Sequence, residues 1–115
     1  MPVEIRECDA NVDVRVVTVS GRLDTVESER VGPQIIEAIA TSPAGVIVDM
    51  HPLEFISSAG LGLLLSAESA STKSGKPMAC LRPGPLVYKI FKISDLDRKF
   101  EFFDAESEAL DAKWR

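Results

Sequence analysis

Val46-Ile47-Val48-Asp49-Met50-His51-Pro52-Leu53-Glu54-Phe55-Ile56-Ser57-Ser58-Ala59-Gly60-Leu61-Gly62-Leu63-Leu64-Leu65 decides the reading of this chain. It begins as a buried strand. Val46 to Val48 is a β-branched run behind Gly45, as suits a strand covered on both faces. His51-Pro52 ends it, because the residue before a proline is pushed towards extended conformations. Phe55 and Ile56 fold the following loop back onto the core. Ser57 and Ser58 then stand where a helix opens, ahead of the small residues Ala59, Gly60 and Gly62. The stretch presents a hydroxyl at the positive end of a helix, where a phosphate is well tolerated.

Working outwards from it, the chain predicts strands and helices in alternation. Val3–Cys8 and Val12–Val19 alternate apolar with polar residues around an Asp9-Ala10-Asn11 turn, the pattern of an antiparallel hairpin. Ser20–Asp24 ends the second strand. Asp24 and Glu27 then offer an acidic N-cap with a carboxylate three residues on, opening a helix over 25–40. Gly32-Pro33 falls inside that helix and predicts a kink near Val31 or two short helices. The central helix should stop at Lys73-Ser74-Gly75. Met78–Leu81 is another buried strand. Pro85 opens a helix over 86–93. Phe100–Phe102 is a last short strand, and 106–112 a last helix. The expected fold is a single α/β domain over residues 1–115. It has a mixed sheet of about five strands and about four helices, in the order β-β-α-β-α-β-α-β-α.

The bulk properties set limits on function. The chain has 115 residues, of which 45% are apolar and 27% charged. That is an ordinary globular composition, and a chain of this length buries roughly 65% of its unfolded surface. A net charge of −5 argues against direct nucleic-acid binding, which favours a basic surface. Lys89, Lys92, Arg98 and Lys99 form a loose basic cluster that reads as a solvated face. Cys8 and Cys80 lack metal or redox spacing and read as reduced thiols that are at least partly buried. The N-terminus runs straight into strand-like alternation without a signal peptide, and no apolar run approaches ~20 residues, so membrane insertion is not expected. The expected location is cytoplasmic.

Catalysis finds little support. Ser58-Ala59-Gly60 is half of a nucleophile elbow, but Ile56 occupies the place of its first glycine. The one histidine, His51, lies at a strand end before a proline and is not marked as a base. There is no phosphate-cradling glycine loop and no metal-binding cluster. The expectation is therefore no enzyme, no catalytic residue, no cofactor and no metal. Simple capping would account for one serine, at about 1 kcal/mol.

A family resemblance carries the reading further. Asp49-Met50, Leu53, Phe55, Ser58, Gly60-Leu61-Gly62 and Leu65 resemble the signature of the STAS family of anti-sigma-factor antagonists. Gly21-Arg22-Leu23-Asp24 resembles the family's Gly-x-Leu-Asp. Ile90–Asp97 with Phe100, and Glu106-Glu108-Ala109-Leu110, resemble its last two helices. The resemblance implies a partner-switching protein. Such a protein binds an anti-sigma factor that is also a serine kinase of the GHKL ATPase type, and so frees a sigma factor. The kinase switches it off by phosphorylating one hydroxyl at the start of the second helix, and a serine phosphatase resets it. Aligning Phe55 and Gly60 puts that hydroxyl at Ser58, with Ser57 the less favoured site. Many members carry an aspartate where this chain has Ser57. The implied partner contacts are Asp24, Ser57, Ser58, Ala59, Gly62 and Leu63. Leu63 is expected to be exposed because it lies opposite Leu61 and Leu65 at ~100° per residue, whereas Leu61, Leu64 and Leu65 read as core. The family also contains standalone STAS scaffold subunits of membrane transporters or lipid-transport complexes, which is the alternative.

Overall fold

The computed structural model describes residues 2–114. A five-stranded sheet has the order β1-β2-β4-β6-β7, built from Val3–Cys8, Asn11–Val19, Val46–Asp49, Met78–Leu81 and Phe102–Phe103. β1 runs antiparallel to β2, and β2, β4, β6 and β7 are mutually parallel. The mixed sheet of five strands is the one the alternating sequence predicts. A second, two-stranded parallel sheet joins β3 (Gly21–Leu23) to β5 (Leu53–Ile56). The helices are α1 (Thr25–Thr41), α2 (Ser58–Lys73), α3 (Pro85–Ile93) and α4 (Glu106–Lys113).

The unbroken apolar strands are explained by cover on both faces. Val46, Val48 and Cys80 point to one side, where they meet Val31, Ile35 and Ile39 of α1, Leu61 and Leu64 of α2, and Val87 and Phe91 of α3. Val16, Ile47, Ala79 and Leu81 point to the other side, where Ala109 of α4 lies, with Leu110 and Trp114 packed against them. Both cysteines are free and buried, as their spacing implies. Burial pushes the Cys80 thiol up to about 12, with Lys113 acting weakly in the opposite direction. That thiol stays protonated and unreactive at neutral pH.

Three expectations need correction. The segment after β2 does not merely end it. Gly21 has φ of +72°, a conformation that glycine adopts without a Cβ penalty. The chain turns there, its amide donates to the Pro52 carbonyl at 3.2 Å, and β3 departs to pair with β5. The loop expected around Phe55 is therefore a strand. Next, α1 is one helix through Gly32-Pro33, not two. Pro33 and Glu29, the residue whose carbonyl loses its donor, are both exposed, so water can satisfy that carbonyl. Finally, the last strand is Phe102–Phe103 rather than Phe100–Phe102. Phe100 is buried instead, its ring 5.4 Å from that of Phe91 in an edge-on contact.

Candidate functional site

The small sheet sets the start of α2 beside the start of α1. In its register Leu23 faces Ile56, and both are only 1% exposed. The Leu23 carbonyl then accepts twice from Ser57, from its amide at 3.0 Å and from its hydroxyl at 3.1 Å. Asp24 follows Leu23 directly and is the N-cap of α1. Its Oδ1 accepts from the Glu27 amide at 3.0 Å, as the acidic cap in the sequence predicts. Ser57 caps α2 in the same manner, its Oγ accepting from the Gly60 amide at 3.2 Å. One Ser57 hydroxyl thus donates across to β3 and accepts from its own helix.

Gly60 makes that close approach possible. A Cβ there would lie 2.7 Å from the Leu23 carbonyl oxygen and 2.7 Å from Ile56 Cγ1. Only a residue without a side chain lets α2 sit this near β3. With Ser57 committed to two hydrogen bonds, Ser58 is the first residue of α2 and is exposed. It therefore presents a free-standing hydroxyl at the positive end of a sixteen-residue helix. No acidic residue occupies the first turn of α2.

The other residues expected at the site divide. Asp24 and Ser57 are half-buried and joined through Leu23. Ala59 is half-buried and Gly62 is exposed one turn beyond Ser58. A Cβ at Gly62 would meet nothing within 4 Å, so it would stand in open space. Leu63 is turned away from the position expected for it. It is half-buried against the main core, with Cδ1 3.2 Å from where a Cβ of Gly32 would stand. The gap at Gly32 in α1 receives it, a complementarity between two helices that neither helix signals alone. Leu61 and Leu64 are core, as expected, and Leu65 packs on that core.

The sequence assigns Arg22 no role of its own and folds Phe55 onto the core, but Phe55 is half-buried on the outward side of β5. The two face each other across β3 and β5, and the Arg22 guanidinium lies 4.3 Å from the centre of the Phe55 ring. The one sequence signal for their pairing is alternation, each being the outward neighbour of a buried residue. His51 is exposed. Its amide is held by the Asp49 carboxylate at 3.0 Å in the turn after β4. A surface hollow of about 570 Å³ beside β7 and α4 contains none of the expected site residues. No group of three or more metal-binding side chains occurs among the described residues. No helix among them is long and apolar enough to cross a membrane. The open helix start suits contact with another macromolecule better than enclosure of a small substrate.

Comparison with known proteins agrees with this fold. The STAS domain model matches residues 6–109. The chain belongs to the STAS family. An anti-sigma F factor antagonist of Paenibacillus polymyxa is 30% identical over 105 residues, which cover 90% of each chain. The phosphorylated form of the Bacillus cell-fate determinant SpoIIAA superposes with a TM-score of 0.71 at 26% identity, covering 96% of this chain and 97% of that one. An anti-sigma factor antagonist from Mycobacterium paratuberculosis superposes with a TM-score of 0.79 at 24% identity, covering 98% and 93%, and shares the fold.

Proposed function

We propose that this chain is an anti-sigma-factor antagonist switched by phosphorylation of Ser58. In the unmodified state it binds an anti-sigma factor that is also a serine kinase of the GHKL ATPase type, and a sigma factor is released. The Ser58 oxygen then takes the γ-phosphoryl group of the kinase's ATP. ADP leaves, the hydroxyl proton passes to the kinase, and the modified chain lets go. A serine phosphatase hydrolyses the phosphoester and restores binding. All of this belongs in the cytoplasm, beside the transcription machinery.

The observation that carries this reading is the division of labour between the two serines. Ser57 has its hydroxyl engaged on both sides, whereas Ser58 is exposed at the helix start. A phosphate there adds about −1.5 to −2 charge and three acceptor oxygens. The helix dipole favours it, so the fold is kept. Its effect falls on the partner, through charge and bulk on the surface formed by Asp24, Ser57, Ser58, Ala59 and Gly62, with Leu63 supporting that surface from beneath. Relatives named as antagonists over nearly the whole chain support this reading over that of a transporter scaffold.

The test is incubation with the cognate kinase and ATP, followed by mapping of the phosphosite. One phosphate is expected on Ser58, retained in Ser57→Ala and absent in Ser58→Ala. Equal phosphate uptake by Ser58→Ala would refute the site. Copurification of a membrane transporter, in place of an ATP-binding kinase, would refute the regulatory role.

A further inference from the structure

We propose that Arg22 is the internal counterion of phosphorylated Ser58, leaving the Phe55 ring for the phosphate once it is attached. This inference rests on Ser58 being the modified residue. Arg22 and Phe55 stand opposite each other in the β3–β5 register, on the outward side of a pair whose inward residues, Leu23 and Ile56, are buried. The guanidinium is 4.3 Å from the ring centre and Arg22 is exposed. A cation held on a ring in contact with water is held weakly.

The start of α2 is fastened to the residue next to Arg22. The Ser57 amide and hydroxyl reach the Leu23 carbonyl at 3.0 and 3.1 Å. Ser58 lies three residues past Phe55, at most about 11 Å along an extended chain. The turn into the helix shortens that span, which the Arg22 side chain must bridge once it leaves the ring. Nearby acids compete for Arg22, but a phosphate carries more negative charge than any one carboxylate. Asp24 and Glu27 of α1 and Glu54 of β5 are acids, and Arg30 is already paired with Glu27 at 3.3 Å. Arg22 is the cation attached directly to the anchoring strand. A phosphate dianion offers a planar guanidinium two parallel charge-assisted hydrogen bonds, which a ring face cannot. Phosphorylation would then change the surface twice, adding an anion and withdrawing an exposed cation from the partner.

The test needs no partner protein. The full chain is made with phosphoserine genetically encoded at position 58, and the phosphate is titrated by phosphorus NMR. Phosphoserine ordinarily takes up its second proton near pH ~6. With Arg22 present, proton affinity should be about three- to tenfold lower than in Arg22→Gln. The Phe55 ring signals should also shift between the Ser58 and phosphoserine forms, and cease to do so in Arg22→Gln. Arg22→Lys, which keeps the charge on a similar side chain, should give an intermediate titration and serves if the glutamine variant does not fold. Phe55→Leu removes the competing ring and should lower proton affinity further. A titration that Arg22→Gln, or Arg22→Lys in its place, leaves unchanged overturns the proposal, and so does a Phe55→Leu titration identical to that of the parent. If a kinase modifies Ser58 but Arg22 has no effect on the phosphate, only this inference fails. If Arg22 acts on the encoded phosphate but no kinase modifies Ser58, only the proposed function fails.

Discussion

The two long helices begin side by side and with the same grammar, yet their first turns differ in charge. At α1 an Asp24 carboxylate accepts from the amide of Glu27, and exposed Thr25 is the first helical residue. At α2 a Ser57 hydroxyl accepts from the amide of Gly60, and exposed Ser58 is the first helical residue. Each helix thus offers a hydroxyl at its positive end. In α1 that end is already answered by a carboxylate cap and by Glu27, whereas α2 has a neutral cap and no acid in its first turn. The lesson is that a helix start becomes a place for added negative charge when its cap leaves the dipole unmet. On that criterion Ser58 qualifies and Thr25 does not.

The largest expected effect concerns how α2 is held. Gly60→Ala would drive a Cβ to 2.7 Å from the Leu23 carbonyl oxygen, a backbone atom that cannot swing aside. Overpacking of this kind costs about 1–3 kcal/mol, read as a lower midpoint in urea unfolding. Near-neutral behaviour would mean that α2 and β3 are less closely joined than the geometry says. The two caps come next. Asp24→Ala and Ser57→Ala should each destabilise by about 1 kcal/mol, since each strips one acceptor from a helix amide. The Leu23 carbonyl keeps the Ser57 amide as a donor, so Ser57→Ala leaves no orphaned acceptor behind it. A loss at Ser57 far above that at Asp24 would show that the bridge to β3 carries more than the cap.

Much of this was legible because the signals are local. Asp24 with Glu27, Ser57 ahead of Gly60, Pro85 opening α3 and the buried run of β4 are each decided within a few neighbouring residues. What escaped was decided across the fold. β3 and β5 have three and four residues, too few for a periodicity, and they become strands only by pairing with each other. Pro33 leaves α1 whole because its side of the helix faces water, and a sequence does not state which side that is. The angle of Leu63 on α2 alone points outwards, but Gly32 on α1 makes room for it. Phe100 reads as strand by alternation and is claimed by the Phe91 ring instead. The Arg22–Phe55 pair is of the same kind, since two outward positions acquire a relation only through register.

Gly62 offers a way to separate stability from the proposed partner contact at α2. It is exposed and its absent side chain would touch nothing within 4 Å. Replacing a glycine inside a helix with alanine stabilises by about 0.5–1 kcal/mol when the space is open. Gly62→Ala should therefore raise the unfolding midpoint while weakening association with the proposed kinase partner, because the added methyl group stands in open space one turn from Ser58. A gain in stability with undiminished association would remove Gly62 from the contact surface.

The smallest effect tests the charge contrast directly. Ser58→Glu places a carboxylate at a helix start with no acid in its first turn, and Thr25→Glu places one where Asp24 and Glu27 already stand. A favourable interaction with the dipole is about 0.3–1 kcal/mol at low ionic strength. Ser58→Glu should collect some of it, whereas like-charge repulsion at Thr25 should cancel the gain or reverse it. Because Leu23 carries Asp24 close to Ser57, Asp24 also reduces the benefit at position 58. Adding Asp24→Asn to Ser58→Glu should therefore widen the stability gain relative to Asp24→Asn alone. In 1 M salt, where the screening length is about 3 Å, the two glutamate variants should converge. Equal gains at low salt would sink the idea that the neutral cap distinguishes α2. Convergence at high salt with separation at low salt would tie the choice of Ser58 to the electrostatics of its helix start rather than to exposure, which Thr25 shares.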